Sequence, residues 1–174
     1  YSMDVIRRHA IRFSSEVKSF YEDAIFNYLY YLRAGRVVCT ESVGYLWVQN
    51  LSSESRSTER SHMAKRLSQG SALALFYFDM YHRYSAEEGH DRELASVFLT
   101  SARWFCYAFW HDMLRIKGLP RRTALEMLEA QEAAGLMPMK GPVPVMGKGF
   151  MCREDWHVIA RPWLLRLFIK LRLS

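Results

Sequence analysis

Residues 91–120 read DRELASVFLTSARWFCYAFWHDMLRIKGLP, and this stretch sets the reading of the whole chain. Asp91 is a residue type that caps helix N-termini, and Lys117-Gly118-Leu119-Pro120 is a glycine stop followed by proline. Between these signals Leu94, Phe98, Phe105, Phe109, Met113 and Ile116 recur at helical spacing and form one apolar face. The run Trp104 to Trp110 is dense in aromatic side chains, which either stack on nucleobases or bury a helix on most of its circumference. The second is the commoner use of such a run. Pro120 is placed to open another helix at its first position. That helix carries Leu125, Leu128 and Ala133 inward and Glu126, Glu129 and Glu132 outward, and it stops at Gly135.

Working back toward the N-terminus, a helix is predicted from about residue 58 to 84. Met63, Leu67, Ala74, Tyr77, Met80, Tyr81 and Tyr84 lie on its broad apolar face, and Gly70 marks a close helix approach. Residues 52–61 hold five serines among alternating charges and read as a linker. Residues 37–51 fit short strands or one short helix equally well. The first segment places Ile6, Ala10, Phe13, Val17, Phe20 and Ala24 at alternating spacings of four and three, a heptad seam. It predicts one helix from about residue 5 to 33, about 43 Å long at 1.5 Å per residue.

Toward the C-terminus the pattern changes. Residues 136–150 hold three of the five prolines and three of the nine glycines, with apolar Met and Val between them. They read as an extended arm that lies against something. Pro162 then opens a basic amphipathic helix. Arg166 and Lys170 form its polar stripe. Trp163, Leu164, Leu167, Phe168 and Leu171 cover the opposite arc, and Leu165, Ile169 and Leu173 widen it. The expectation is therefore an all-α chain of about four to five helices. It comprises a helical domain over 1–135 with a long N-terminal helix and an irregular bundle, an extended Pro/Gly-rich arm over 136–155, and an amphipathic helix over 156–174.

The composition narrows function mostly by exclusion. The chain has 174 residues, half of them apolar, which excludes disorder as its main state. Three cysteines (Cys39, Cys106 and Cys152) with no Cys-x-x-Cys pair exclude a disulfide-framework mini-protein and a zinc finger. No apolar run reaches the length of a membrane span, and no secretory signal is seen. The net charge is +6, with 18 Arg to 6 Lys. Tyr1-Ser2 resembles the start of a chain after removal of a mitochondrial leader, and arginine excess suits the same address.

Phosphate loops, a nucleophile elbow and metalloprotease helices are missing from the sequence. Glu-x-x-His occurs three times, at Glu59–His62, Glu87–His90 and Glu154–His157. With Glu22 and Glu93 this could formally supply a di-iron carboxylate bundle: Glu22, Glu59, His62, Glu93, Glu154 and His157. The pairs fall at helix ends and breaks rather than in mid-helix, so solvated helix termini are the better reading. His111-Asp112 resembles a catalytic pair, but neighbours in sequence do not face each other on a helix. Arg7-Arg8 and Arg121-Arg122 are only doublets, so nucleic acid is not the expected partner.

The expected function is a non-catalytic structural accessory subunit of a mitochondrial inner-membrane energy-transducing complex, an ATP synthase or a respiratory complex. It would sit at the inner membrane or on its matrix side and need no cofactor. Its partners would be other subunits and anionic lipid such as cardiolipin. The expected contact residues are Trp156, Trp163, Leu164, Arg166, Leu167, Phe168, Lys170, Leu171 and Arg172. The alternatives are a mitochondrial ribosomal protein and a di-iron helical-bundle enzyme.

Overall fold

The computed structural model describes residues 1–15, 17, 22–38, 41, 60–86, 92–115, 120–140 and 153–172. Among them the regular structure consists of seven helices: α1 (Met3–Arg8), α2 (Glu22–Tyr31), α3 (Arg60–Ala86), α4 (Arg92–Arg115), α5 (Arg121–Ala133), α6 (Arg153–Ile159) and α7 (Pro162–Arg172). The chain is all-α, as its periodicities predict. It divides into two compact units, Tyr1–His62 and Met63–Ser174.

In the first unit the predicted long helix is two helices. The reason is a reversal at Ala10, whose φ of 49° lies in the left-handed region. Two hydrogen bonds close the end of α1: the Ile11 N–H donates to the Ile6 carbonyl at 3.0 Å, and the Ala10 N–H to the Arg7 carbonyl at 3.2 Å. That pair defines a Schellman ending, which satisfies the last carbonyls and turns the chain away. The heptad seam therefore breaks in its second turn, and Ile11 and Val17 are buried from non-helical backbone. Aromatic contacts favour the break. Phe13 stacks on Phe26 with ring centroids 4.6 Å apart, and Tyr1 packs edge-on against Phe26 and Tyr30. The Tyr1 hydroxyl donates to Asn27 Oδ1, and the Ser2 N–H donates to the Tyr30 hydroxyl at 2.7 Å. Glu22 and Asp23 suit the positive N-terminal end of α2.

In the second unit the core is aromatic. Tyr77 of α3 stacks on Phe105 of α4 at 5.5 Å and lies 6.5 Å from Phe98. Leu67, Ala74 and Tyr77 are buried as the α3 pattern predicts, while Met80, Tyr81 and Tyr84 are half-buried. A Cβ on the buried Gly70 would meet Phe109 at an ordinary 3.9 Å, so the expected close approach there leaves room for alanine. On α4, Phe98, Phe109 and Met113 are buried as expected, joined by Ala102, Cys106, Tyr107 and Trp110. Within the aromatic run Cys106, Tyr107, Phe109 and Trp110 are buried, whereas Trp104, Phe105 and Ala108 are half-buried. Pro120 caps α5 from outside rather than opening it. The inward face of α5 is Ala124, Leu128 and Gln131, whereas Ala133 is exposed.

Gln131 is fully buried and ties three helices together. Its Oε1 accepts from Trp110 Nε1 at 2.7 Å and from Cys106 Sγ at 3.4 Å, and its Nε2 donates to Ser71 Oγ at 2.9 Å. Beyond the end of α5, Gly135, whose φ is 80°, allows the same Schellman closure as at Ala10, with the Leu136 N–H on the Gln131 carbonyl at 3.0 Å.

The expected arm differs from the structure in two ways. Its first residues lie on the core, with Leu136, Met137 and Met139 buried and a cis Met137–Pro138 peptide. Its last residues belong to α6, which begins at Arg153. Residues 141–150 fall outside the described residues, as do the linker at 52–59 and most of the ambiguous segment at 37–51. The single helix expected over 156–174 is likewise two, α6 and α7. Pro162 has no N–H to continue α6 and disfavours helical backbone at Arg161 before it.

Candidate functional site

The C-terminal helix pair is attached to the rest of the second unit through buried apolar side chains and a few polar ties. Trp156 and Ile159 of α6 are buried, with the Trp156 ring 6.0 Å from that of Tyr107. Asp155 of α6 receives two side chains of α4: His111 Nδ1 lies 2.8 Å from its Oδ2, and Arg115 donates to the same oxygen at 3.2 Å. The Tyr107 hydroxyl approaches His111 Nδ1 at 3.3 Å. On α7, Leu165 and Ile169 are buried, and α7 packs against α5 and α6. Burial of the two side chains contributes about 1.5–3 kcal/mol each.

One of the two cations of the α7 polar stripe is also committed inward. Arg166 makes a two-pronged ion pair with Glu132 of α5, at 2.6 and 2.7 Å. That hydrogen bonding holds the guanidinium above its ordinary pKa. Arg121, at the start of α5, donates to the Lys170 carbonyl at 2.8 Å and so satisfies one of the last carbonyls of α7. Glu132 therefore does not face outward as its sequence position predicts.

What is left outward is an apolar line. Trp163, Leu167 and Leu171, spaced four residues apart, are 66%, 51% and 75% exposed. Two cations are exposed with them: Arg161 just before α7 and Lys170 in its last turn. Leu164 and Phe168 are half-buried, and the Arg172 side chain lies outside the described residues. Trp156, expected at the contact surface, is interior. The amphipathic pattern of α7 thus resolves into two apolar sides: one that docks through Leu165 and Ile169, and one that faces water. The sequence could not assign these sides, because both are apolar on the helical wheel.

Most of the di-iron set lies outside the described residues. Glu22 belongs to the first unit and His157 is exposed on α6 in the second. Glu59 and the side chains of His62, Glu93 and Glu154 lie outside the described residues. Among the described residues no three His, Cys, Asp or Glu side chains gather as metal ligands. His111 pairs with Asp155 and not with its neighbour Asp112, a partnership between distant helices that no local pattern signals. Burial pushes the Cys106 thiol far above its ordinary pKa, which makes it inert as a nucleophile. Among the described residues no helix is long and apolar enough to cross a membrane.

No protein-family model, curated protein or solved structure matches the chain.

Proposed function

We propose that the protein is a non-catalytic accessory subunit of a mitochondrial inner-membrane energy-transducing complex, an ATP synthase or a respiratory complex, with α7 making the outward contact. The observation that carries this reading is the Trp163–Leu167–Leu171 line. It is exposed on a helix whose other side is already committed to its own core. A contiguous apolar stripe left in water is a cost that a partner removes. Arg161 and Lys170 beside that line suit a seat next to anionic lipid, and the arginine-rich composition suits the compartment.

The test is extraction from the native source in mild detergent, native-gel separation and mass spectrometry of the band that holds the chain. Co-migration with ATP synthase or respiratory subunits is expected. Replacing Trp163, Leu167 and Leu171 with Gln should release the chain from that band while its helical circular dichroism is retained, since all three side chains are exposed. Migration alone, at the 20.5 kDa of the single chain in detergent-free buffer, would discard the reading.

A further inference from the structure

We propose that the second unit carries an organic-phosphate site, in a cleft between α3, α4 and the segment that follows α5. Its ligand would be a small amphiphile, a phosphate monoester with a short apolar group. The cleft measures about 290 Å³, at the lower end of the range for small-molecule sites. Phe78 and Tyr81 of α3, Leu99 of α4 and Pro138 give it apolar walls. Two cations, Arg103 of α4 and Lys140, line the same cleft, and no acidic residue is among its described lining.

Arg103 is the decisive residue. It is half-buried, and among the described residues it makes no hydrogen bond or ion pair. In the same unit the half-buried Arg166 holds a carboxylate, as do the exposed Arg83, Arg115 and Arg122. The half-buried Arg66 resembles Arg103 in having no partner among the described residues; what sets Arg103 apart is its place in the cleft with Lys140. A guanidinium stays charged at every pH a protein meets, and drawing it partly out of water is unfavourable unless an anion replaces the lost hydration. Its planar fork matches two oxygens of a phosphate, and the Lys140 ammonium adds a second, mobile positive charge. Two positive charges, with no negative one among the described lining, suit a phosphate monoester, which carries about −1.5 to −2 at neutral pH. The aromatic and aliphatic walls take up the apolar part, so the two halves of the ligand follow from two sets of side chains. The site is separate from the α7 line and does not depend on it.

The experiment is calorimetric titration of the full chain with octyl phosphate below its micelle concentration, and in parallel with octanol and with inorganic phosphate. The same titrations are made on Lys140→Gln and Arg103→Gln. Lys140 is exposed, so K140Q keeps the fold, which circular dichroism checks. Octyl phosphate should bind, and octanol and inorganic phosphate each at least ~10-fold more weakly. Each substitution should weaken octyl phosphate by ~10-fold, the usual effect of removing one charge-assisted hydrogen bond.

Flotation with phosphatidylcholine vesicles containing phosphatidic acid separates the two sources of such a group. Vesicle binding that K140Q loses assigns a bilayer lipid. Octyl phosphate binding without K140Q-sensitive vesicle binding assigns a free organic phosphate. Equal binding by the variants and the wild type, octanol binding as tight as octyl phosphate, or no binding at all would overturn the proposal.

Discussion

Replacing Gln131 with Leu tests whether the second unit is organised around one buried amide. Leucine is close in volume to glutamine and prefers helix, so α5 itself should not suffer. What changes is the set of partners left behind. The Trp110 Nε1–H loses its acceptor in a fully buried site, a desolvation cost of about 1–3 kcal/mol. Ser71 loses its donor, but a helical serine can turn its hydroxyl to the carbonyl one turn back, so its share is about 0.5–1 kcal/mol. The Cys106 thiol is a weak donor and adds little. Added apolar contact from leucine offsets part of this, at about 0.8 kcal/mol per buried methylene.

The net expectation is a loss of about 1–3 kcal/mol, read as a lower urea midpoint with an unchanged slope. Ser71→Ala, made alone and together with Q131L, makes the argument sharper. With Gln131 present, the serine change strands the amide Nε2. Once leucine has replaced the glutamine there is no amide left to strand. The double variant should therefore lose less than the two single losses combined, by about 0.5–1 kcal/mol. If Q131L is as stable as the wild type, or the two changes simply add, Gln131 is a spectator and the account of the core is wrong.

Further outcomes follow from particular residues. Cys106 titrates far higher folded than unfolded, so the folded state keeps its proton above pH 9.0 while the unfolded chain releases one. Stability should therefore fall as pH rises past that value, by up to about 1.4 kcal/mol per pH unit, and Cys106→Ala should remove that part of the slope in alkaline urea titrations. Ala10 and Gly135 occupy equivalent left-handed positions after α1 and α5. Ala10→Gly should stabilise the first unit and Gly135→Ala destabilise the second, each by roughly 1 kcal/mol, as measured by hydrogen exchange of each unit. A Cβ at Gly135 meets Phe78 only at 3.9 Å, so its cost is backbone and not packing. Asp155→Asn removes the charge that gathers His111 and Arg115. It should loosen α6, with faster amide exchange at Trp156 to Ile159, while exchange in α3 stays unchanged.

The local punctuation of this chain is legible in its residues. The glycine stop at Gly135 and the apolar faces of α3 and α4 are found where periodicity places them, because a helix needs only its own backbone bonds and one apolar stripe. Pro162 signals the start of α7, but the same residue also ends α6 just before it, an effect that the helical pattern on either side conceals. The heptad seam of the first segment misleads for a definite reason. Spacing reports where side chains would point if the backbone stayed helical, but it cannot report that Ala10 leaves the helix so that Phe13 can stack on Phe26.

At the candidate surface the residue types are legible and their orientation is not. Composition and spacing determined that the C-terminal helix is basic, amphipathic and too apolar to stand alone. Only the tertiary structure decided that Leu165 and Ile169 face the core, that Arg166 turns to Glu132, that Trp156 is interior, and that Trp163, Leu167 and Leu171 are left in water. The same holds for Gln131 with Trp110 and for His111 with Asp155. Helix formation is a local equilibrium written in residues three and four apart. The choice between two apolar sides, or the partner of a buried polar group, is settled by atoms from distant parts of the chain that must fill the same space.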